Sequence, residues 1–109
     1  MNLKTTAVLV FHPRLTASSR VNARLARAAR EAGAPEHPIE VRDMYALYPD
    51  FRIDVAAEQA VLAAADRIVL QFPMYWYSTP PLLKQWEDDV LTHGWAYGST
   101  GTALHGKEL

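Results

Sequence analysis

TTAVLVF at residues 5–11 and RIVLQF at residues 67–72 are short, β-branched and almost uninterrupted apolar runs. Continuous runs of this kind are typical of strands that are covered on both faces, as in a parallel sheet. A third candidate strand, PIEVR at residues 38–42, alternates apolar and polar residues and begins with a proline. Because proline cannot donate to a ladder, this strand is predicted to lie at an edge.

Helical patterns separate these strands. In the first, four apolar residues are spaced four, three and four apart, which predicts one face of a helix. They are Val21, Leu25, Ala28 and Ala32. Ser18 or Ser19 is placed to cap the N-terminus of this helix, and Gly33 to end it. Asp54 is placed to cap a second, alanine-rich helix over residues 55–65.

A third helix is predicted to begin at Thr79, because the two prolines that follow are tolerated in a first helical turn. Gly94 is expected to end it. Its buried stripe is predicted to consist of Leu82, Leu83, Trp86 and Val90. Asp88 and Asp89 are interpreted as part of its solvated face.

The order β-α-β-α-β-α predicts an α/β fold with a parallel sheet and right-handed crossovers. With the second strand at the edge, the strand order is 2-1-3. Doubly wound domains have more strands than these three, and residues 106–109 resemble the entry to another strand. We therefore expect residues 1–109 to be the N-terminal part of a single domain, either truncated or completed by a partner.

Composition excludes several classes of protein. The 109 residues include 11 basic and 12 acidic side chains, so a net charge of −1 gives no electrostatic footprint for nucleic acid. The absence of cysteine excludes disulfides, zinc–thiolate sites and thiol nucleophiles. Four scattered histidines lack metal-ligand spacing, and no G-x-S-x-G elbow is present. No apolar run approaches the length of a membrane span, so a soluble, cytoplasmic domain is expected.

Ligands of open α/β sheets bind outside the carboxyl ends of the strands, where the strand order reverses. That reversal falls between the first and third strands. The loops that leave these strands, residues 12–19 and 73–79, are therefore the candidate site.

The first of these loops combines hydroxyls and arginines at a helix N-terminus, where free N–H groups and the helix dipole favour an anion. Thr16, Ser18 and Ser19 could complete a phosphate cradle, although the alternative interpretation is that the serines only cap the helix. The loop has no glycine and is neither a Walker A nor a G-x-G-x-x-G motif. Of the basic stripe on the helix, Arg24, Arg27 and Arg30 are interpreted as a solvated face.

The second loop, PMYWYSTPP at residues 73–81, contains three consecutive aromatic residues. Neighbouring side chains cannot all point into a core, so these rings favour either a flat heterocyclic ligand or a protein interface. The phosphate-type loop at the neighbouring strand end favours a flat, phosphorylated cofactor.

FPMYWYSTPPLLKQW at residues 72–86 and HGWAYG at residues 93–98 resemble the flavodoxin-like NAD(P)H:quinone oxidoreductases. Within that family they are most similar to the branch that includes the ancillary proteins of glutathione-gated potassium efflux systems. YALYPDF at residues 45–51 and GTALHGK at residues 101–107 also resemble that branch.

The resemblance implies a bound flavin, either FMN or FAD, with NAD(P)H as electron donor and a quinone-like acceptor. The family's flavin phosphate loop falls on His12, Ser18 or Ser19, Arg20, Val21 and Asn22. The segment that contacts the isoalloxazine ring falls on Pro73, Met74, Tyr75, Trp76 and Tyr77. A homodimer is implied too, with residues 93–98 near its interface and the mouth of the site.

The family continues past Gly106 and Lys107 into a fourth strand, a glycine-rich loop over the flavin, and a fifth strand. Two alternatives to an active reductase therefore stand. One is a regulatory subunit of a membrane potassium-efflux transporter, which would place the protein at the inner membrane through its partner. The other is an inactive, truncated flavodoxin-like fragment.

Overall fold

A computed structural model describes residues 5–12, 20–33, 37–73 and 79–109, with the backbone alone described for residues 20–23. Within these ranges the sheet has three parallel strands: β1 (Thr6–Val10), β2 (Ile39–Asp43) and β3 (Arg67–Gln71). Their order is β2-β1-β3, which confirms the predicted arrangement and places β2 at an edge. The backbone N–H of Thr6 donates to the carbonyl of Pro38, so the proline precedes the ladder as expected.

Four helices connect and cover these strands in the described parts of the chain. They are α1 (Arg20–Ala32), α2 (Met44–Leu47), α3 (Val55–Ala64) and α4 (Pro81–Val90). The short helix α2 was not predicted; the Asp43 side chain caps it by accepting from the N–H of Ala46. Asp54 caps α3 as predicted, accepting from the N–H of Ala57 at 3.0 Å.

Alternate residues of β1 point to two different cores. Ala7, Leu9 and Phe11 belong to the larger core, into which α4 inserts Leu82, Leu83, Trp86 and Val90 as predicted. Val8 and Val10 face the other side of the sheet and pack with Ala26 of α1. β1 is therefore covered on both faces, as its continuous apolar run indicated. The same prediction is wrong for β3, because Val69 is exposed on the face that α1 leaves open.

The packed face of α1 differs from the predicted one. Ala26 is fully buried against the sheet and Ala29 packs beside it, whereas Leu25, Ala28 and Ala32 are exposed. Small alanine side chains bring the helix close to the valines of the sheet, and the larger Leu25 falls on the flank. Gly33 ends the helix as predicted; a Cβ there would lie 3.3 Å from the backbone nitrogen of Ile39, so the close approach favours glycine.

Both predicted ends of α4 are wrong. The N-cap position is occupied by Pro80, which makes no side-chain capping bond, and not by Thr79. The helix ends at Val90, because its C-cap, Leu91, leaves helical geometry (φ −84°, ψ 68°). Gly94 instead adopts a φ of +85° in the loop that follows.

The predicted solvated faces of α1 and α4 are confirmed. Arg24, Arg27 and Arg30 are exposed on α1, and Asp88 and Asp89 are exposed on α4. None of the helices in the described ranges is long and apolar enough to cross a membrane.

The packed face of α1 can be tested by the same enlargement at two alanines. Ala26→Leu should destabilise the fold by about 1–3 kcal/mol, because the buried site against Val8 and Val10 has no room for three more carbons. Ala28→Leu is the matched control on the exposed flank and should change the unfolding free energy by less than about 0.5 kcal/mol. Urea denaturation followed by circular dichroism measures both; the opposite ranking would contradict the observed packing.

Candidate functional site

The carboxyl ends of β1 and β3 lie side by side. Val10 pairs with Gln71 in the parallel ladder, and the N–H of Phe11 donates to the carbonyl of Gln71 at 2.8 Å. His12 and Pro73, both half-buried, follow these strand ends directly. The two predicted loops therefore leave the sheet as neighbours, at the point where the strand order reverses.

The first turn of α1 completes this edge. The helix begins at Arg20 and runs back against the strands, so its unpaired N–H groups are presented at the carboxyl end of β1. Of the predicted phosphate-site residues, Arg20, Val21 and Asn22 are in this first turn, and their side chains lie outside the described atoms. Ser18, Ser19, Met74, Tyr75, Trp76 and Tyr77 lie outside the described residues altogether.

A buried carboxylate lies in the larger core, close to this edge. Glu58 of α3 has no exposed surface and accepts from three donors on three other segments. The donors are an amino group of Arg42, the hydroxyl of Tyr48 at 2.6 Å and the indole Nε1–H of Trp86 at 3.2 Å. We name these four residues the Glu58 cluster.

Charge and burial in this cluster shift two pKa values. Burial lowers the pKa of Arg42, but its attraction to Glu58 and its hydrogen bonds to Glu58 and Glu40 outweigh burial and raise the pKa above its usual value. Burial raises the pKa of Tyr48 to about 12, reinforced by the hydrogen bond to Glu58. The cluster therefore holds a charged guanidinium and a protonated phenol around the carboxylate.

The cluster reaches the candidate site through Trp86. The indole ring packs edge-to-face against Phe11, with ring centroids 5.8 Å apart and planes at 65°. Phe11 is fully buried and immediately precedes His12. The end of β1 is thus packed against an indole whose N–H bonds to a buried carboxylate.

The Glu58 cluster was not predicted from the sequence. A signal was present, because Glu58 lies four residues before the buried Leu62 and so shares the apolar face of α3. A carboxylate at an apolar helix position predicts a buried partner, but the pattern does not identify Arg42, Tyr48 or Trp86 as that partner.

The loop of residues 93–98, which follows α4, is stabilised by a ring contact and by a backbone hydrogen bond. His93 packs edge-to-face on Tyr97 at 5.3 Å, and the N–H of Gly94 donates to the carbonyl of Tyr97 at 2.8 Å. Gly98 has a φ of +90°, and a Cβ there would lie 2.7 Å from the His93 Nε2. The loop leaves Tyr97 57% exposed, and its expected place at a dimer interface stays a prediction.

A family model described as the flavodoxin-like fold matches residues 4–109. The chain belongs to the flavodoxin-like family. Its parallel sheet of order β2-β1-β3 agrees with that assignment.

Curated relatives of the chain include an uncharacterised NAD(P)H oxidoreductase, YrkL, of Bacillus subtilis (strain 168). It is 58% identical over 104 residues, which are 95% of this chain and 57% of the relative. The glutathione-regulated potassium-efflux system ancillary protein KefF of Salmonella schwarzengrund (strain CVM19633) is 65% identical over 83 residues, or 76% of this chain and 47% of KefF. The chain thus spans about half the length of the curated relatives it matches.

Solved structures of similar fold carry different descriptions. General stress protein 14 of Treponema denticola, in complex with FMN, superposes with a TM-score of 0.77 at 44% identity, over 95% of this chain and 57% of that one. An NADPH-quinone reductase from P. pentosaceus superposes at 0.67 and 36% identity, over 95% and 55%. A protein described as a thermophilic tryptophan halogenase, from Streptomycin violaceusniger, superposes at 0.81 and 50% identity, over 94% and 56%.

Removing the charge of Glu58 should lower the unfolding free energy much more than removing the charge of Glu40. Both carboxylates pair with Arg42, but Glu58 is buried and Glu40 is largely exposed. Glu58→Gln should destabilise the fold by about 3 kcal/mol, since it leaves a largely buried guanidinium without its main counter-charge. Glu40→Gln should cost less than about 1 kcal/mol. Equal unfolding free energies for the two variants in urea titrations would contradict the cluster.

The raised pKa of Tyr48 predicts a loss of stability at high pH. An unfolded tyrosine ionises near pH 10, whereas folded Tyr48 ionises near 12, so its contribution is complete below pH 10 and is lost between pH 10 and 12. At about 1.4 kcal/mol per pKa unit, the loss should amount to about 3 kcal/mol. In Tyr48→Phe this component should be absent, giving a shallower decline of unfolding free energy above pH 10. Tyr97→Phe, at an exposed tyrosine, serves as the control and should keep the wild-type decline.

Proposed function

We propose that this chain binds FMN in the crevice between the carboxyl ends of β1 and β3, as part of a flavin-dependent NAD(P)H:quinone oxidoreductase. The observation that carries the proposal is the pairing of Val10 with Gln71. It sets the strand end before His12 beside the one before Pro73, where a single flat ligand with a phosphate tail can contact both loops. The FMN complex of the Treponema denticola protein and the names of the NAD(P)H-dependent relatives support it.

The described backbone fits such a ligand at its phosphate end. The first turn of α1 presents N–H groups where the phosphate would bind, and the sequence places Arg20 in that turn. The sequence also places consecutive aromatic residues at positions 75–77, in the segment that follows β3.

A bound flavin would supply the redox chemistry by accepting hydride from NAD(P)H and passing two electrons to a quinone-like acceptor. The chain would bind and orient it. His12, Ser18 or Ser19, Arg20, Val21 and Asn22 are proposed to hold the phosphate, and Pro73, Met74, Tyr75, Trp76 and Tyr77 to contact the ring. Backbone N–H groups near Trp76 and Tyr77 would stabilise negative charge on the reduced ring.

A titration of the purified chain with FMN and with riboflavin tests this proposal. Flavin fluorescence should be quenched on binding, and FMN should bind more tightly than riboflavin because only FMN carries a phosphate. Arg20→Gln should reduce this preference about tenfold by removing one charge-assisted contact. Arg27→Gln, the same change two turns further along an exposed face of α1, should leave the preference unchanged.

Addition of NADPH to the FMN-loaded chain then separates binding from catalysis. Loss of the flavin absorbance in the visible range, restored by a quinone, supports the oxidoreductase. Equal affinity for FMN and riboflavin, or no binding of either, would contradict the proposed site.

A regulatory role is the second candidate, favoured by the 65% identity to KefF over 83 residues. In this case the chain would bind a membrane potassium-efflux transporter, and it would assemble as a homodimer through the loop of residues 93–98. Co-purification with such a transporter, in the presence and absence of FMN, distinguishes a transporter subunit from a free reductase.

A further inference from the structure

The start of α4 leaves one buried N–H group that the helix itself cannot satisfy. The first N–H groups of a helix have no partner within it. Pro80 and Pro81 occupy the N-cap and the first helical position, and neither carries an N–H. The N–H groups of Leu83 and Lys84 donate to the carbonyl of Pro80 at 3.1 and 3.4 Å. The N–H of Leu82 is left, and because Leu82 has no exposed surface, bulk water does not reach it.

A tyrosine from another helix satisfies that group. The N–H of Leu82 donates to the hydroxyl oxygen of Tyr45, on α2, at 3.3 Å. The two residues are 37 positions apart in the sequence. The N-cap residue of α4 makes no side-chain capping bond, so the first turn of this helix is capped by a side chain of α2.

A strained turn after α2 supports Tyr45 and also binds α4. Phe51 has a φ of +61°, in the left-handed region that residues other than glycine seldom adopt. Its ring packs edge-to-face on the ring of Tyr45, with centroids 5.7 Å apart and planes at 76°. Its carbonyl accepts from the side-chain Nε2–H of Gln85, about one turn further along α4. The strained residue therefore contacts both the tyrosine cap and the helix that is capped.

Backbone strain persists only where the surrounding contacts maintain it, and it is concentrated at positions that matter for function. Glycine would form the same turn at no steric cost, but it has no ring to pack on Tyr45. The contacts of Phe51 with Tyr45 and Gln85 offset the cost of its left-handed backbone. What they gain is a fixed position for the first turn of α4.

That first turn comes directly after the second candidate loop. Thr79 and Pro80 lead from the loop into the helix. At its other end the loop leaves from β3, which the parallel ladder ties to β1. Tyr45 and Phe51 thus hold the end of the loop that the sheet does not hold.

We propose that Tyr45 and Phe51 are positioning residues for the flavin ring, and that they act through the first turn of α4. This role rests on the proposed function, in which the second loop contacts the isoalloxazine ring. Tyr45 fixes where the loop ends, and Phe51 holds the ring of Tyr45 in place. The phosphate is proposed to bind at α1, a different helix, so the two residues affect binding of the ring and not the preference for a phosphate.

Titrations of the complete chain with FMN and with riboflavin test this role. Tyr45→Phe removes only the hydroxyl that accepts from Leu82. It should weaken the binding of both flavins about fivefold, the usual effect of one hydrogen bond, and leave the ratio of the two affinities unchanged. The midpoint potential of bound FMN should become more negative, because displaced N–H groups of the loop would stabilise the reduced ring less well.

The cap itself can be measured without a flavin. Amide hydrogen exchange at Leu82 should be faster in Tyr45→Phe than in the wild-type chain, since the N–H has lost its acceptor. Unchanged exchange at Leu82 would overturn the capping contact and the proposal with it.

Phe51→Gly separates the contact with Tyr45 from the shape of the turn. Glycine accepts a φ of +61° without strain, so the turn is kept while the ring is lost. Riboflavin should bind this variant several-fold more weakly than the wild-type chain. Binding as tight as in the wild type would overturn the role of Phe51.

Asp54→Ala is the matched control for a general loss of stability. Asp54 caps α3 by accepting from the N–H of Ala57 at 3.0 Å, so this variant also loses one capping bond. The helix concerned follows neither candidate loop. The variant should unfold at a lower urea concentration, with the flavin affinities and the midpoint potential unchanged.

Failure of the positioning role and failure of the flavin site give different results. If the wild-type chain binds both flavins and Tyr45→Phe binds them equally tightly, the flavin site stands and the positioning role is overturned. Equal weakening by Asp54→Ala, or a loss confined to FMN, would overturn it as well. If the wild-type chain binds neither flavin, the site itself is overturned, and the role of Tyr45 in ring binding falls with it.

Discussion

The larger core is organised around one buried carboxylate. Glu58 is fully enclosed, and its burial is tolerable only because Arg42, Tyr48 and Trp86 donate to it. These donors come from β2, from the segment after α2 and from α4, so one residue of α3 relates three other segments to each other. Apolar contacts alone leave a helix free to slide by small steps, whereas hydrogen bonds to a charge define one position. The cluster therefore sets the relative positions of α3, α4 and β2.

That constraint extends to the strand end from which the first candidate loop leaves. Trp86 is held by Glu58 on one side and packs against Phe11 on the other. Phe11 in turn is fixed by the ladder bond to Gln71, which ties the end of β1 to the end of β3. The strands thus place the two loops as neighbours, while the residues of those loops determine which ligand is held. This separation is why the fold positions a site but does not by itself specify a chemistry.

The sequence was sufficient for the order of the strands and for most helix positions, since apolar runs, the Pro38 edge signal and the Asp54 cap are local features. Prediction from the sequence failed where contacts between distant residues determine which side chains are buried and where a helix ends. The spacing of Leu25 suggested a buried face, but the sheet accepts the smaller Ala26 because close approach needs small side chains. The ends of α4 were misplaced because Pro80 fills the cap position and the helix stops well before Gly94. For the candidate site, the sequence predicted the edge where the loops meet but not the Glu58 cluster below it, whose partners are distant in sequence.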